Sequence, residues 1–104
     1  MKLRIRANSV RLRLSDDEVV RIGRGDSIVE QTRFSGGVFA YRLEIGGNEI
    51  SARFTSGFGI EIKLPEQQAI GWATSSAVSL HGAIEVDGET LSVLIEKDLK
   101  PDKG

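Results

Sequence analysis

From Lys2 to Leu14, aliphatic and basic residues alternate almost without a break. Leu3 and Ile5 sit between Lys2, Arg4 and Arg6, and Val10, Leu12 and Leu14 are separated by Arg11 and Arg13. A period of two sends successive side chains to opposite faces, so each run reads as a strand with one buried face. Ala7-Asn8-Ser9 between them marks a hairpin. The pattern returns fifty residues later, where Ile60, Ile62 and Leu64 take the places of Val10, Leu12 and Leu14. Each run leads into a helical segment, so the fold has to bury many one-sided strands with little helix.

The helix signals are local. Ser15-Asp16-Asp17-Glu18 is a capping box whose acids suit the positive end of the helix dipole. Val19 and Ile22 follow at helical spacing and Gly23 is a C-terminal stop, which predicts a helix over 16–22. Pro65 at a first helical position, followed by Ala69, Ile70, Trp72 and Ala73, predicts a second over 65–73. Further strands are expected over 27–34, 38–45, 50–55, 58–64, 77–86 and 90–96, with Asp87-Gly88 as a hairpin turn before the last. Phe39, Tyr41, Phe54, Phe58 and Trp72 fall in apolar phase and are expected in the core. Residues 99–104 read as a flexible tail.

Strand, strand, helix, strand, strand therefore occurs twice. At an offset of fifty, Glu18, Val19, Val20 and Ile22 fall on Gln68, Ala69, Ile70 and Trp72, and Ile28 falls on Val78. One extra residue in the turn at 56–58 brings Leu3 and Ile5 onto Ala52 and Phe54. A single domain over 1–98, with repeat halves of about 1–48 and 49–98, is the expected organisation. The predicted class is mostly β (α+β): eight antiparallel strands in a closed or nearly closed barrel or sandwich, with two short helices and an internal duplication of a ββαββ unit. Two short helices cannot cover eight strands, and closure would bury the remaining apolar face and remove exposed edges.

No catalytic constellation is legible. There is no cysteine, which removes disulfides, thiolate metal sites and a Cys nucleophile. His81, the one histidine, is out of phase with its apolar neighbours and reads as a surface residue. Asp16, Asp17 and Glu18 are explained by capping, and Gly36-Gly37 and Gly46-Gly47 read as turns, not phosphate loops. No cofactor or metal is expected. No apolar run approaches the roughly 18 residues of a membrane span, and with no signal peptide the cytoplasm is the expected location.

What remains is charge. All nine arginines lie within residues 1–53 of a chain of formal net charge −1. The polar strand face is expected to form a solvated exterior, its basic N-terminal strands paired with acidic neighbours. The first functional expectation is a small non-enzymatic binding or protein-interaction module, with a second copy of the chain as one candidate partner. The alternative read from the residues is anion binding, with Arg4, Arg6, Arg11, Arg13, Arg53 and Lys63 on a phosphate or carboxylate. Nucleic-acid binding through the basic N-terminal strands is a third reading. The near-neutral balance and the core-phase aromatics argue against it.

The opening Lys2-Leu3-Arg4-Ile5-Arg6-Ala7-Asn8-Ser9-Val10-Arg11-Leu12-Arg13-Leu14-Ser15, followed by Glu18-Val19, and the closing Leu94-Ile95-Glu96-Lys97-Asp98 resemble a family of short uncharacterised bacterial proteins. That resemblance implies no activity. Members often continue with a Phe and a Cys-containing tail, where this chain has Leu99 and no cysteine. The element order from the second strand onward is also similar to the triphosphate-tunnel fold. That resemblance implies basic and acidic side chains inside an eight-stranded barrel that binds or hydrolyses phosphate or triphosphate, with acids on Mg²⁺ and Glu61 as the metal residue here. Glu61-Ile62-Lys63 echoes part of its acidic motif.

Overall fold

Four antiparallel hairpins carry the fold in a computed structural model that describes residues 1–99. They are β1 (Lys2–Arg6) with β2 (Ser9–Leu14), β3 (Ile28–Phe34) with β4 (Gly37–Ile45), β5 (Ser51–Thr55) with β6 (Gly59–Leu64), and β7 (Ser79–Val86) with β8 (Glu89–Lys97). Helix α1 (Asp16–Gly23) joins the first two hairpins and α2 (Glu66–Ala73) the last two. The expected tail over 99–104 lies outside the described residues, apart from Leu99.

The hairpins form two four-stranded sheets. Sheet A has the order β1-β2-β8-β7 and sheet B the order β3-β4-β6-β5. Each sheet thus takes one hairpin from each half of the chain. Where the hairpins meet, β2 runs parallel to β8 and β4 parallel to β6. The expected all-antiparallel arrangement is corrected to two mixed sheets, and the expected closed barrel is not formed. The physical reason is that alternation tells which face of a strand is buried but not which strand lies beside it. Hairpin partners were legible because short turns force them. The two central pairs join strands far apart in sequence.

The registers match between the sheets. Leu3 pairs with Leu12 as Ala52 pairs with Ile62. Ile95 lies beside Leu12 as Leu43 lies beside Ile62. Leu80 opposes Ile95 as Ile28 opposes Leu43. The structural counterpart of Ile28 is therefore Leu80 and not Val78, because Leu80 lies two residues farther from the end of α2 (Ala73) than Ile28 lies from the end of α1 (Gly23).

The inner faces share one core with both helices. Leu12, Leu14, Val93 and Ile95 of sheet A meet Leu43, Ile62 and Leu64 of sheet B around Ile22 and Trp72, all buried. Ser15 caps α1 as expected: its hydroxyl accepts from the Glu18 amide, and Glu18 accepts from the Ser15 amide. Pro65 is the N-cap residue of α2, one place earlier than expected, and supplies no side-chain cap. The helices pack on each other, with Gly23 facing Ala73.

Two aromatic expectations fail. Phe54 shares the face of Ala52 but is 72% exposed, because its edge strand runs past the core. Phe58 leaves the alternation: Gly59 adopts φ +140°, and the Arg42 guanidinium stacks over the Phe58 ring at 4.7 Å on the outer face. Trp72 is buried, and Phe39 and Tyr41 are half-buried, in line with their phase.

Candidate basic face and its electrostatics

The outer face of sheet A collects charge of one sign. In the β1–β2 hairpin Lys2 lies directly opposite Arg13 and Arg4 opposite Arg11, so two like-charged pairs are stacked on one face. Arrangements of this kind are destabilising in an isolated sheet. A groove of about 320 Å³ is lined by these four residues. Glu96 of β8 accepts from Arg13 Nε at 3.0 Å, with Arg13 Nη2 2.9 Å away, and lies 3.8 Å from Arg11 Nε. Lys2 Nζ is 3.7 Å from Asp98. Arg4 and Arg6 have no ion-pair partner among the described residues. The expected pairing of the basic strands with acidic neighbours is thus met by Glu96 and Asp98 alone, because β1 and β2 are each other's first neighbours.

The six residues expected to bind an anion do not form one site. Arg4, Arg6, Arg11 and Arg13 lie on sheet A, whereas Arg53 and Lys63 lie on the outer face of sheet B. Lys2 belongs with the first group, and its place opposite Arg13 was the signal for it. On sheet B the corresponding positions are Ser51, Arg53, Glu61 and Lys63, with a net charge of +1 and acids within reach. Arg53 opposes Glu61, Glu61 accepts from Arg42 Nη1 at 2.7 Å, and Lys63 lies 3.8 Å from Glu44. Glu61 is therefore engaged with Arg42. Among the described residues no group of three or more His, Cys, Asp or Glu side chains is placed to hold a metal. Because these basic residues line the outside of open sheets, the geometry of a tunnel with inward-facing arginines is absent. His81 is exposed, as expected, with Nε2 3.1 Å from Ser92 Oγ.

A second charged cluster, which sequence reasoning missed, closes the seam between β1 and β3. The amino group of Met1 donates to Glu18 Oε2 and, at 2.8 Å, to Glu30 Oε2, while Tyr41 donates from its hydroxyl to the Met1 carbonyl at 2.9 Å. Burial alone would lower the ammonium's pKa, but the hydrogen bonds and charges of Glu18 and Glu30 outweigh it and hold it above 8.0. Burial would likewise raise Glu18, but the amino group and the Ser15 amide hold it below 4.5. Burial, with the two carboxylates nearby, lifts Tyr41 above 10.0.

The signs follow from linkage. The raised ammonium contributes stability fully below pH 8.0 and loses it as pH rises through the folded value. The lowered Glu18 contributes above pH 4.5 and loses it as pH falls through its folded value. Raised Tyr41 adds a further loss above pH 10.0. We expect thermal stability to form a plateau between these limits. Glu18→Gln retains a side-chain acceptor for the cap but removes the charge. It should cost about 1 kcal/mol near neutrality and make the fall in Tm above pH 8.0 shallower, read by thermal melts across pH. An unchanged alkaline slope would place the stabilisation elsewhere.

No helix among the described residues is long and apolar enough to cross a membrane. A family model described as a family of unknown function (DUF7009) matches residues 1–101. No curated protein and no solved structure matches the chain.

Proposed function

The chain belongs to the DUF7009 family, whose description carries no activity, and from that premise we propose a function on geometry alone: a non-enzymatic binding module that takes phosphate- or carboxylate-bearing anions on the outer face of sheet A. Lys2, Arg4, Arg11 and Arg13 form the seat and Arg6 lies at its margin. One observation carries this reading. Two stacked like-charged pairs occupy sheet A with a net charge of +4, while the matching positions of sheet B, Ser51, Arg53, Glu61 and Lys63, sum to only +1. The same scaffold is built with far less positive charge at the matching positions of the other sheet, so the fold itself does not require the basic excess on sheet A. Guanidinium forks recognise phosphate and carboxylate oxygens in pairs, and among the described residues Arg4 has no carboxylate partner to release first. The reading also treats the halves as repeats of one ββαββ unit within a single domain. The matched registers support that, and divergence of one copy toward charge is its consequence.

The test is a thermal-shift and calorimetric titration with inorganic phosphate, tripolyphosphate and short DNA at low and high salt. An anion at 100 times its Kd stabilises by about 2.7 kcal/mol, which is about 10 °C or more for a domain of this size. Arg4→Glu separates the site from the fold. It converts the Arg4–Arg11 pair into an opposite-charge pair, expected to stabilise the apoprotein by about 0.2–1 kcal/mol, while weakening the anion shift. DNA binding that tracks salt, with no response to tripolyphosphate, would reassign the face to nucleic acid. Silence toward every anion at low salt would remove the proposal.

A further inference from the structure

All four edge strands carry, at their last or next-to-last position, a large apolar side chain in core phase that the core does not cover. These are Ile5 of β1 (55% exposed), Phe34 of β3 (60%), Phe54 of β5 (72%) and Val86 of β7 (44%). Their phase is fixed by register. Ile5 pairs with Val10, Phe54 with Ile60, Phe34 follows Ile28 at even spacing, and Val86 follows Leu80 likewise. Each lies at the end of its strand away from the helices, whereas Leu14 and Leu64 at the helix end are fully buried. One end of the core is therefore plugged by α1 and α2, and the other presents four unpartnered apolar residues. Apolar residues exposed in a group on a small chain mark an interaction surface.

Charge indicates the occupant. At the seam where Met1 of the first hairpin meets Glu30 of β3, two hairpin tips carry Arg6 and Arg33, neither ion-paired among the described residues. At the opposite seam, where Ile50 sits so close to Gly82 that a Cβ there would lie 2.8 Å from Ile50 Cγ2, the β7–β8 tip carries Glu85, Asp87 and Glu89. The apolar end thus has a basic side and an acidic side. A second copy related by a two-fold axis sets the acidic side of each chain on the basic side of the other, twice, around the apolar residues. This is the self-complementarity that an isologous interface requires. We propose that the helix-distal end is a homodimer interface centred on Ile5, Phe34, Phe54 and Val86. This surface is separate from the Lys2–Arg13 groove and does not depend on it.

Sedimentation equilibrium of the full chain, up to about 1 mM, should show twice the 11.3 kDa chain mass. Phe34→Ser and Phe54→Ser each remove an exposed side chain. Each should raise Kd about tenfold or more, with folding checked by far-UV spectra. Charge exchange keeps the test open if a Phe variant misfolds. Arg33→Glu alone and the Glu85→Lys, Glu89→Lys double variant alone should dimerise weakly, and their mixture should form a one-to-one heterodimer. A monomer at every concentration overturns the proposal. So does a dimer that the folded Phe and charge variants leave unmoved.

Discussion

Gly59→Ala is expected to be among the most damaging single substitutions in the chain. A Cβ on Gly59 would lie 1.9 Å from the carbonyl oxygen of Ala40, with φ at +140°, a region that L side chains rarely adopt. The obstacle is backbone of the neighbouring strand and not a side chain that can swing away. Relief requires separating β4 from β6 where their parallel pairing begins, at Ala40 and Gly59. We expect a loss of about 3 kcal/mol or more, built from strain of about 1–3 kcal/mol at a sparsely populated φ/ψ together with broken pairing. That is a large share of a total stability of about 5–15 kcal/mol. Gly57→Ala is the internal control. Gly57 also has positive φ, at +86°, but a Cβ there meets nothing within 4 Å, so only the left-handed penalty of about 1–2 kcal/mol remains. Urea midpoints of the two variants decide the matter. Equal losses would mean that the close approach of β6 to β4 is not what Gly59 is needed for.

Trp72→Ala is the second large effect. Trp72 is 3% exposed, donates from Nε1 to the Val78 carbonyl at 3.0 Å, and has Lys97 Nζ 5.5 Å from its ring centroid. One side chain thus joins α2, the residue leading into β7 and the end of β8. Truncating a buried Trp leaves a cavity and costs about 3–5 kcal/mol. It also leaves the Val78 carbonyl without that donor. Trp72→Phe keeps most of the volume and should cost much less, about 1–2 kcal/mol, chiefly for the lost hydrogen bond. Trp72 is the single tryptophan of the chain, so its emission in the unsubstituted protein reports on this packing directly. It should shift to the red in the same urea transition that removes β structure. A Trp72→Ala variant as stable as the parent would mean that the helices do not plug the core.

The anion face and the dimer surface rest on the same comparison between matched positions. Arg4 and Arg53 correspond through the register, and so do Arg11 and Glu61. On one sheet the pair repels and on the other it attracts. Ile5 and Phe54 correspond in the same way, yet here both halves keep an exposed apolar side chain. A difference between matched positions marks what the fold leaves free, and a shared departure from burial marks a surface that both halves present.

Local features of the chain were legible because their physics is local. The capping box at Ser15, the alternation of Leu12 with Arg11 and Arg13, and the Asp87-Gly88 turn, with φ of +52° and +83°, depend only on residues within a few positions. The same is true of the placement of Leu12, Leu14, Ile62 and Leu64 in the core, since the side-chain period assigns a face before any neighbour is known. Which strand lies beside which is different. The pairings of β2 with β8 and β4 with β6, the split of Arg53 and Lys63 from Arg4 and Arg11, and the stranding of Phe54 and Phe34 outside the core all depend on contacts between segments distant in sequence. A period of two carries no information about those contacts, and only the packing of two hairpin pairs around α1 and α2 decided them.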